Sequence, residues 1–268
     1  MNESRKRMCS VALGWIIPPV AWIGLIVALA VIWLIVEPGR LVALFDHDGR
    51  SPFELLTLPF YAAIIPMVWW LCPFAGSRRH RVIFCSAVSI VAFMAIVKEL
   101  DLHLVAANWL YPDLVGESGG LLPGLFKPDG RPLRGTPFKL RVLTNPAVPI
   151  GLKAFIMSYF TLFFGVFGVG FLWLFPQWVR GVLRLEPASW SWGCCGASGV
   201  IVQVADRLPS WLNHAGRLGE KAGDSVTSAT SFCVCLEEGG ELMVAIFALL
   251  TIFLAHRQKG VSDTRDVT

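Results

Sequence analysis

Charge is scarce in this chain. Only 16% of its 268 residues are Asp, Glu, Lys or Arg, where a soluble globular domain carries roughly 25%. It has no Walker phosphate loop and no dinucleotide-binding glycine fingerprint, so those nucleotide chemistries have no sequence support. A basic stripe interleaved with stacking aromatics is also missing, and with it the case for a nucleic-acid partner. The 7 cysteines are an odd number and cannot all pair; Cys72 and Cys85 fall inside apolar runs, where a thiol acts as a small hydrophobe, so no disulfide scaffold is expected.

What fills the chain instead is apolar sequence, 55% of all residues, with a mean hydropathy of +0.61. This composition predicts an all-α polytopic membrane bundle with the lipid bilayer as its solvent. The run from Val11 to Val36 holds no charge and exceeds the roughly 20 residues a helix needs to cross a hydrocarbon core. It is about twice the length of a signal-peptide core and lacks a closing small-x-small site, so it reads as a retained span, kinked by Pro18 and Pro19. Further spans are expected over residues 55–74, 82–98, 149–175, 190–208 and 232–255, with a long outer loop over 104–148. The fifth is diluted by Gly193, Gly196, Gly199, Gln203 and Asp206. It is kept because it returns His256, Arg257 and Lys259 to the cytoplasm.

Arg5, Lys6 and Arg7 precede the first run, and Arg78, Arg79, His80 and Arg81 stand between the second and third. Under the positive-inside rule both clusters are cytoplasmic, giving six spans with both termini inside a bacterial inner membrane. Gly165, Gly168 and Gly170 predict a close helix approach on the fourth span.

Chemistry, if present, concentrates in two stretches. Lys98-Glu99-Leu100-Asp101-Leu102-His103 ends the third span, and Glu237-Glu238-Gly239-Gly240-Glu241 opens the last. Residues four apart share a helix face, which pairs Glu99 with His103 and Glu237 with Glu241. Carboxylate and imidazole ligands suit zinc or another divalent metal, so Glu99, His103, Glu237 and Glu241 are the candidate ligands. Asp101 and Asp206 are the candidate acid-base residues beside them. The plainer reading is that these side chains end their helices in the headgroup zone, paired with Lys98, Arg207 and Lys153. Cys233-x-Cys235 could be a redox pair or a pair of buried thiols, and adjacent Cys194 and Cys195 are candidates for acylation.

Glu99-x-Asp101-x-His103, then Pro137-Phe138-Lys139-Leu140-Arg141 leading through Pro146 and Pro149 to Lys153, then Glu237-Glu238-x-x-Glu241, resemble an uncharacterised family of bacterial polytopic inner-membrane proteins. That resemblance covers roughly residues 82–255 and implies no activity. A more distant likeness is to the alkaline ceramidase and adiponectin receptor superfamily, which implies zinc held between spans, although the His-x-x-x-His pair of that family is missing here. The leading expectation is therefore a membrane-embedded hydrolase acting on a lipid-like substrate at the outer leaflet. An ion- or proton-coupled transporter and a non-catalytic membrane subunit are the alternatives. The sequence names no protein partner.

Overall fold

A computed structural model describes residues 14–45, 51–72, 77–100, 102–111, 121–126, 132–134, 143–144, 146, 148–214 and 228–265. Its packed part is helical: α1 Ile17–Ile35, α2 Pro38–Phe45, α3 Pro52–Leu71, α4 Arg78–Glu99, α5 Leu102–Leu110, α6 Ile150–Leu183, α7 Pro187–His214 and α8 Ser228–Arg265. Between α5 and α6 a short antiparallel hairpin pairs β1 Leu121–Phe126 with β2 Pro132–Arg134. The stretch 104–148, read from sequence as loop throughout, thus contains most of a helix and a strand pair. Arg5, Lys6, Arg7 and the segment Pro137–Arg141 lie outside the described residues.

Among the described residues, four helices are long and apolar enough to cross a membrane: Ile17–Ile35, Arg78–Glu99, Ile150–Leu183 and the Ser228–Gln258 part of α8. Leu55–Leu71 is a shorter apolar helix. The expected span at 190–208 lies on α7, which is continuous and packed but is not among the four, because its glycines and polar residues dilute it. The outward faces are oily, as lipid contact requires: on α1 Ile17, Leu34 and Ile35 are exposed, and on α6 Ile150, Val169 and Leu172.

Pro18 and Pro19 do not kink α1. The helix begins at Ile17, so the prolines occupy its first turn, where an N–H would have no intrahelical acceptor in any case. Pro59 and Pro66 do sit inside α3. Ser77 caps α4 by accepting the His80 backbone N–H.

α8 is the spine, packed against α1, α2, α3 and α7. Contacts fix the directions. Trp33 Nε1–H donates to the Ser228 carbonyl and Cys235 Sγ–H to the Leu29 carbonyl, so α1 runs antiparallel to α8. Ser191 Oγ donates to the Phe247 carbonyl and Cys195 Sγ–H to that of Val244, while Val202 meets Gly240, which makes α7 antiparallel too. α3 runs parallel to α8, with Tyr61 beside Glu241 and the Leu71 carbonyl 2.7 Å from His256 Nδ1. α4 is antiparallel to α3, Cys85 Sγ–H reaching the Val68 carbonyl, and His80 lies against Trp173 of α6.

The close approach expected on the fourth span is not at Gly165, Gly168 or Gly170, where an added Cβ would meet nothing within 4 Å. It is on α8. A Cβ at Gly239 would stand 2.5 Å from Leu29 Cδ2 of α1, and one at Gly240 2.7 Å from Val202 Cγ2 of α7. Glycine at these two positions lets both neighbours close on the spine.

Candidate functional site: a buried Lys–Glu cluster

Position along a helix decides which side chains can meet. Glu237, Glu238 and Glu241 fall on one side of α8 by helical spacing, and Gly239 and Gly240 on the other. The glycines take α1 and α7, which leaves the acidic side for α3 and α4. α4 ends at Glu99, where the Leu100 N–H still reaches the Ile96 and Lys98 carbonyls, and α5 starts afresh at Leu102. The last turn of α4 therefore delivers Lys98 and Glu99 to α8.

There the Lys98 ammonium is ion-paired with Glu241 Oε1, and it stands 3.7 Å from Glu99 Oε1. Glu99 and Glu241 are buried, at 8% and 6% exposure. About half of the Lys98 side-chain surface is free of protein contact. Carboxylate oxygens of Glu99, Glu238 and Glu241 lie within 4.8 Å of one another. Tyr61 O–H donates to the Glu241 backbone carbonyl at 3.3 Å. Glu241 Oε2 is buried and has no hydrogen-bond donor among the described residues. Among the described residues Lys98 thus faces both Glu99 and Glu241, and one acceptor of Glu241 is left open, in a place where uncompensated charge is expensive.

The sequence expectations divide. Glu99 and Glu241 come together. Glu238 completes their group of three, although Glu237 was the expected member; Glu237 lies half-buried on the same helix. The proposed stacking of Glu99 on His103 assumed one continuous helix, and the break after Glu99 removes that basis. Asp101 lies outside the described residues, and of His103 only its place in α5 is described. Asp206 is on α7, half-exposed and 3.2 Å from neighbouring Arg207. Lys98 and Arg207 do take the partners that the plainer reading gave them. Tyr61 was overlooked, and a lone tyrosine in the middle of an apolar run was the available signal.

Depth also differs from expectation. With α8 starting at Ser228, Glu241 lies about 20 Å along the axis from that end and about 22 Å from His256, at about 1.5 Å per residue. Tyr61 sits near the middle of α3. Glu241 and Tyr61 are thus at mid-helix, while Lys98 and Glu99 come from the last turn of α4.

Cys233 and Cys235 are buried, unpaired thiols, as are Cys194 and Cys195. Compared with known proteins, the chain matches no family model, no curated protein and no solved structure.

Proposed function

We propose that this is an ion- or proton-coupled membrane carrier in which Lys98, Glu99 and Glu241, with Glu238 beside them, form the coupling centre. The observation that carries the reading is the open acceptor, Glu241 Oε2, buried beside a second carboxyl at mid-helix. Carboxylate oxygens of Glu99 and Glu241 lie within 4.8 Å of one another, so a proton held between them would relieve their repulsion. A bound proton or cation would both fill the acceptor and offset the excess negative charge. Intramembrane acids cost about 2.5 to 3.5 kcal/mol each on insertion scales, so an uncompensated group is retained for a task. The helix break directly after Glu99 supports the same reading, because carriers place ion sites at interrupted helices near the bilayer midplane.

The topology that goes with this function has six crossings and both termini in the cytoplasm of a bacterial inner membrane. Its support is the alternation of α1, α3, α4, α6, α7 and α8 and the gathering of Arg78, Arg79, Arg81, His256 and Arg257 at one end. The family likeness above points to the same membrane. In a cysteine-free background, Arg40→Cys should react with an impermeant maleimide on intact cells and Arg79→Cys only after permeabilisation; the reverse pattern would remove this topology.

Coupling is tested by reconstituting the protein on a solid-supported membrane and applying a pH jump. Wild type should give a transient charge displacement above that of empty liposomes, and Glu99→Gln/Glu241→Gln should abolish it. A silent wild type, or a double variant that behaves like wild type, defeats the proposal.

A second reading has one observation in its favour, the three carboxylates within 4.8 Å. With the Lys98 ammonium displaced, they could hold a divalent metal for hydrolysis of a lipid-like substrate. Protein purified without chelators should then carry one equivalent of metal that Glu238→Gln loses; metal-free wild type excludes this reading.

A further inference from the structure

A second polar site lies at the other end of α4, remote from the Lys–Glu cluster. The end of α3 and the start of α4 border an open recess of about 260 Å³ lined by Trp69, Cys72, Arg78, Arg81, Val82 and Cys85. Its walls are of two kinds. Cys85 is tied to the Val68 carbonyl and the Trp69 indole to Ser89 Oγ, so the apolar side is fixed in place. The surface of the recess is mostly apolar; its charged residues are Arg78 and Arg81, and no carboxylate is among the described lining residues.

Arg81 is the informative residue. Its Nε is buried and has no hydrogen-bond partner among the described residues. No salt bridge to Arg78, Arg79 or Arg81 occurs among those residues either. A charged donor kept from water without an acceptor costs more than an ordinary lost hydrogen bond, and a guanidinium's planar fork matches a phosphate better than any other common anion. The recess sits where the apolar helices end and basic residues collect: His256 bonds the Leu71 carbonyl next to Cys72, and exposed Arg257 follows it. At that level of a bilayer the abundant anions are lipid phosphates.

We infer that this recess seats the phosphate of an anionic phospholipid, held by Arg81 and Arg78, with the start of its acyl region against Trp69 and Val82. The absence of a carboxylate from the described lining residues sets the preference. A headgroup with its own ammonium finds no counter-charge there, whereas a glycerol headgroup needs none.

The test uses the full chain in detergent, titrated with short-chain phosphatidylglycerol, with phosphatidylcholine of the same chain length and with inorganic phosphate, bound lipid being counted by native mass spectrometry. Wild type should bind phosphatidylglycerol about tenfold or more tightly than phosphatidylcholine, and Arg81→Gln should lose about tenfold or more, the range for a hydrogen bond to a charged group. Arg257→Gln, a charge loss at the same end but outside the recess, should bind as wild type does. If Arg81→Gln fails to fold, Arg78→Gln carries the test, since Arg78 is exposed and its loss leaves the packing intact. Equal affinity for the two lipids, or unchanged binding in a folded arginine variant, overturns the inference. Inorganic phosphate binding as tightly as the lipid overturns its lipid part by showing a free-anion site. None of these outcomes depends on whether the Lys–Glu cluster couples ions.

Discussion

Replacing Lys98 by Met keeps most of the side-chain stem and deletes the ammonium, so it isolates the charge that Lys98 brings to Glu241 and Glu99. Glu241 is 6% exposed and its Oε2 already lacks a donor among the described residues, so the variant takes from Glu241 and Glu99 the ammonium that faces them. Breaking a buried ion pair from one side costs about 3–5 kcal/mol, while an exposed pair is worth about 0–1 kcal/mol. Half of the Lys98 side chain is free of protein, and what it meets decides between these figures. Under the topology proposed above lipid and not water meets it there, which does not screen, so the larger range is the one the proposal requires. The second half of the cycle is Glu241→Gln, and the third is the double variant. Because a paired charge can be removed whole at little cost, Lys98→Met/Glu241→Gln should recover at least about 2 kcal/mol of the sum of the single losses. Reversible unfolding in bicelles, followed by far-UV circular dichroism, supplies all four values. A single-variant loss under about 1 kcal/mol, or additive singles, would mean that the ammonium faces water and that the cluster is an ordinary surface pair.

The helix packing makes its own predictions. Gly240→Ala sets a Cβ 2.7 Å from Val202 Cγ2 and should cost about 1–3 kcal/mol, while Gly168→Ala opens onto free space and should gain up to about 1 kcal/mol in helix propensity; thermal unfolding of both checks the pair. Tyr61→Phe removes the donor to the Glu241 carbonyl and should lose about 0.5–1.5 kcal/mol in the same unfolding assay. Asp206→Asn breaks only a half-exposed pair with Arg207, so a change beyond about 1 kcal/mol would contradict the placement of Asp206.

The helices were legible because long charge-free runs have few ways to fold. Their ends were less so. Hydropathy places the start of the last span at Phe232, yet α8 begins at Ser228 because small and polar residues also propagate a helix, and this shift sets Glu241 about 6 Å further from that end. The partnership of Glu99 with Glu241 was readable from buried acids on separate spans. Glu238 was not, because choosing it over Glu237 depends on the rotation of α8, which the seats of α1 and α7 on Gly239 and Gly240 determine. Nor was the break after Glu99. A Leu-Asp-Leu sequence continues a helix as readily as it stops one, and only tertiary packing distinguishes the two.

The two-sided character of α8 has a mechanical consequence. On one flank, bare backbone seats α1 and α7 so tightly that neither can slide along the spine without forcing Leu29 or Val202 into it. On the other flank, near Glu241, α3 and α4 add a hydroxyl and an ammonium to the apolar packing of Tyr61 and Ile64 with Ala245, so charge as well as fit holds them. A disturbance of the acids therefore acts first on the α3–α4 side of the spine, where it must work against the apolar cluster that Ile64 and Val68 share with Ala245 and Ile252.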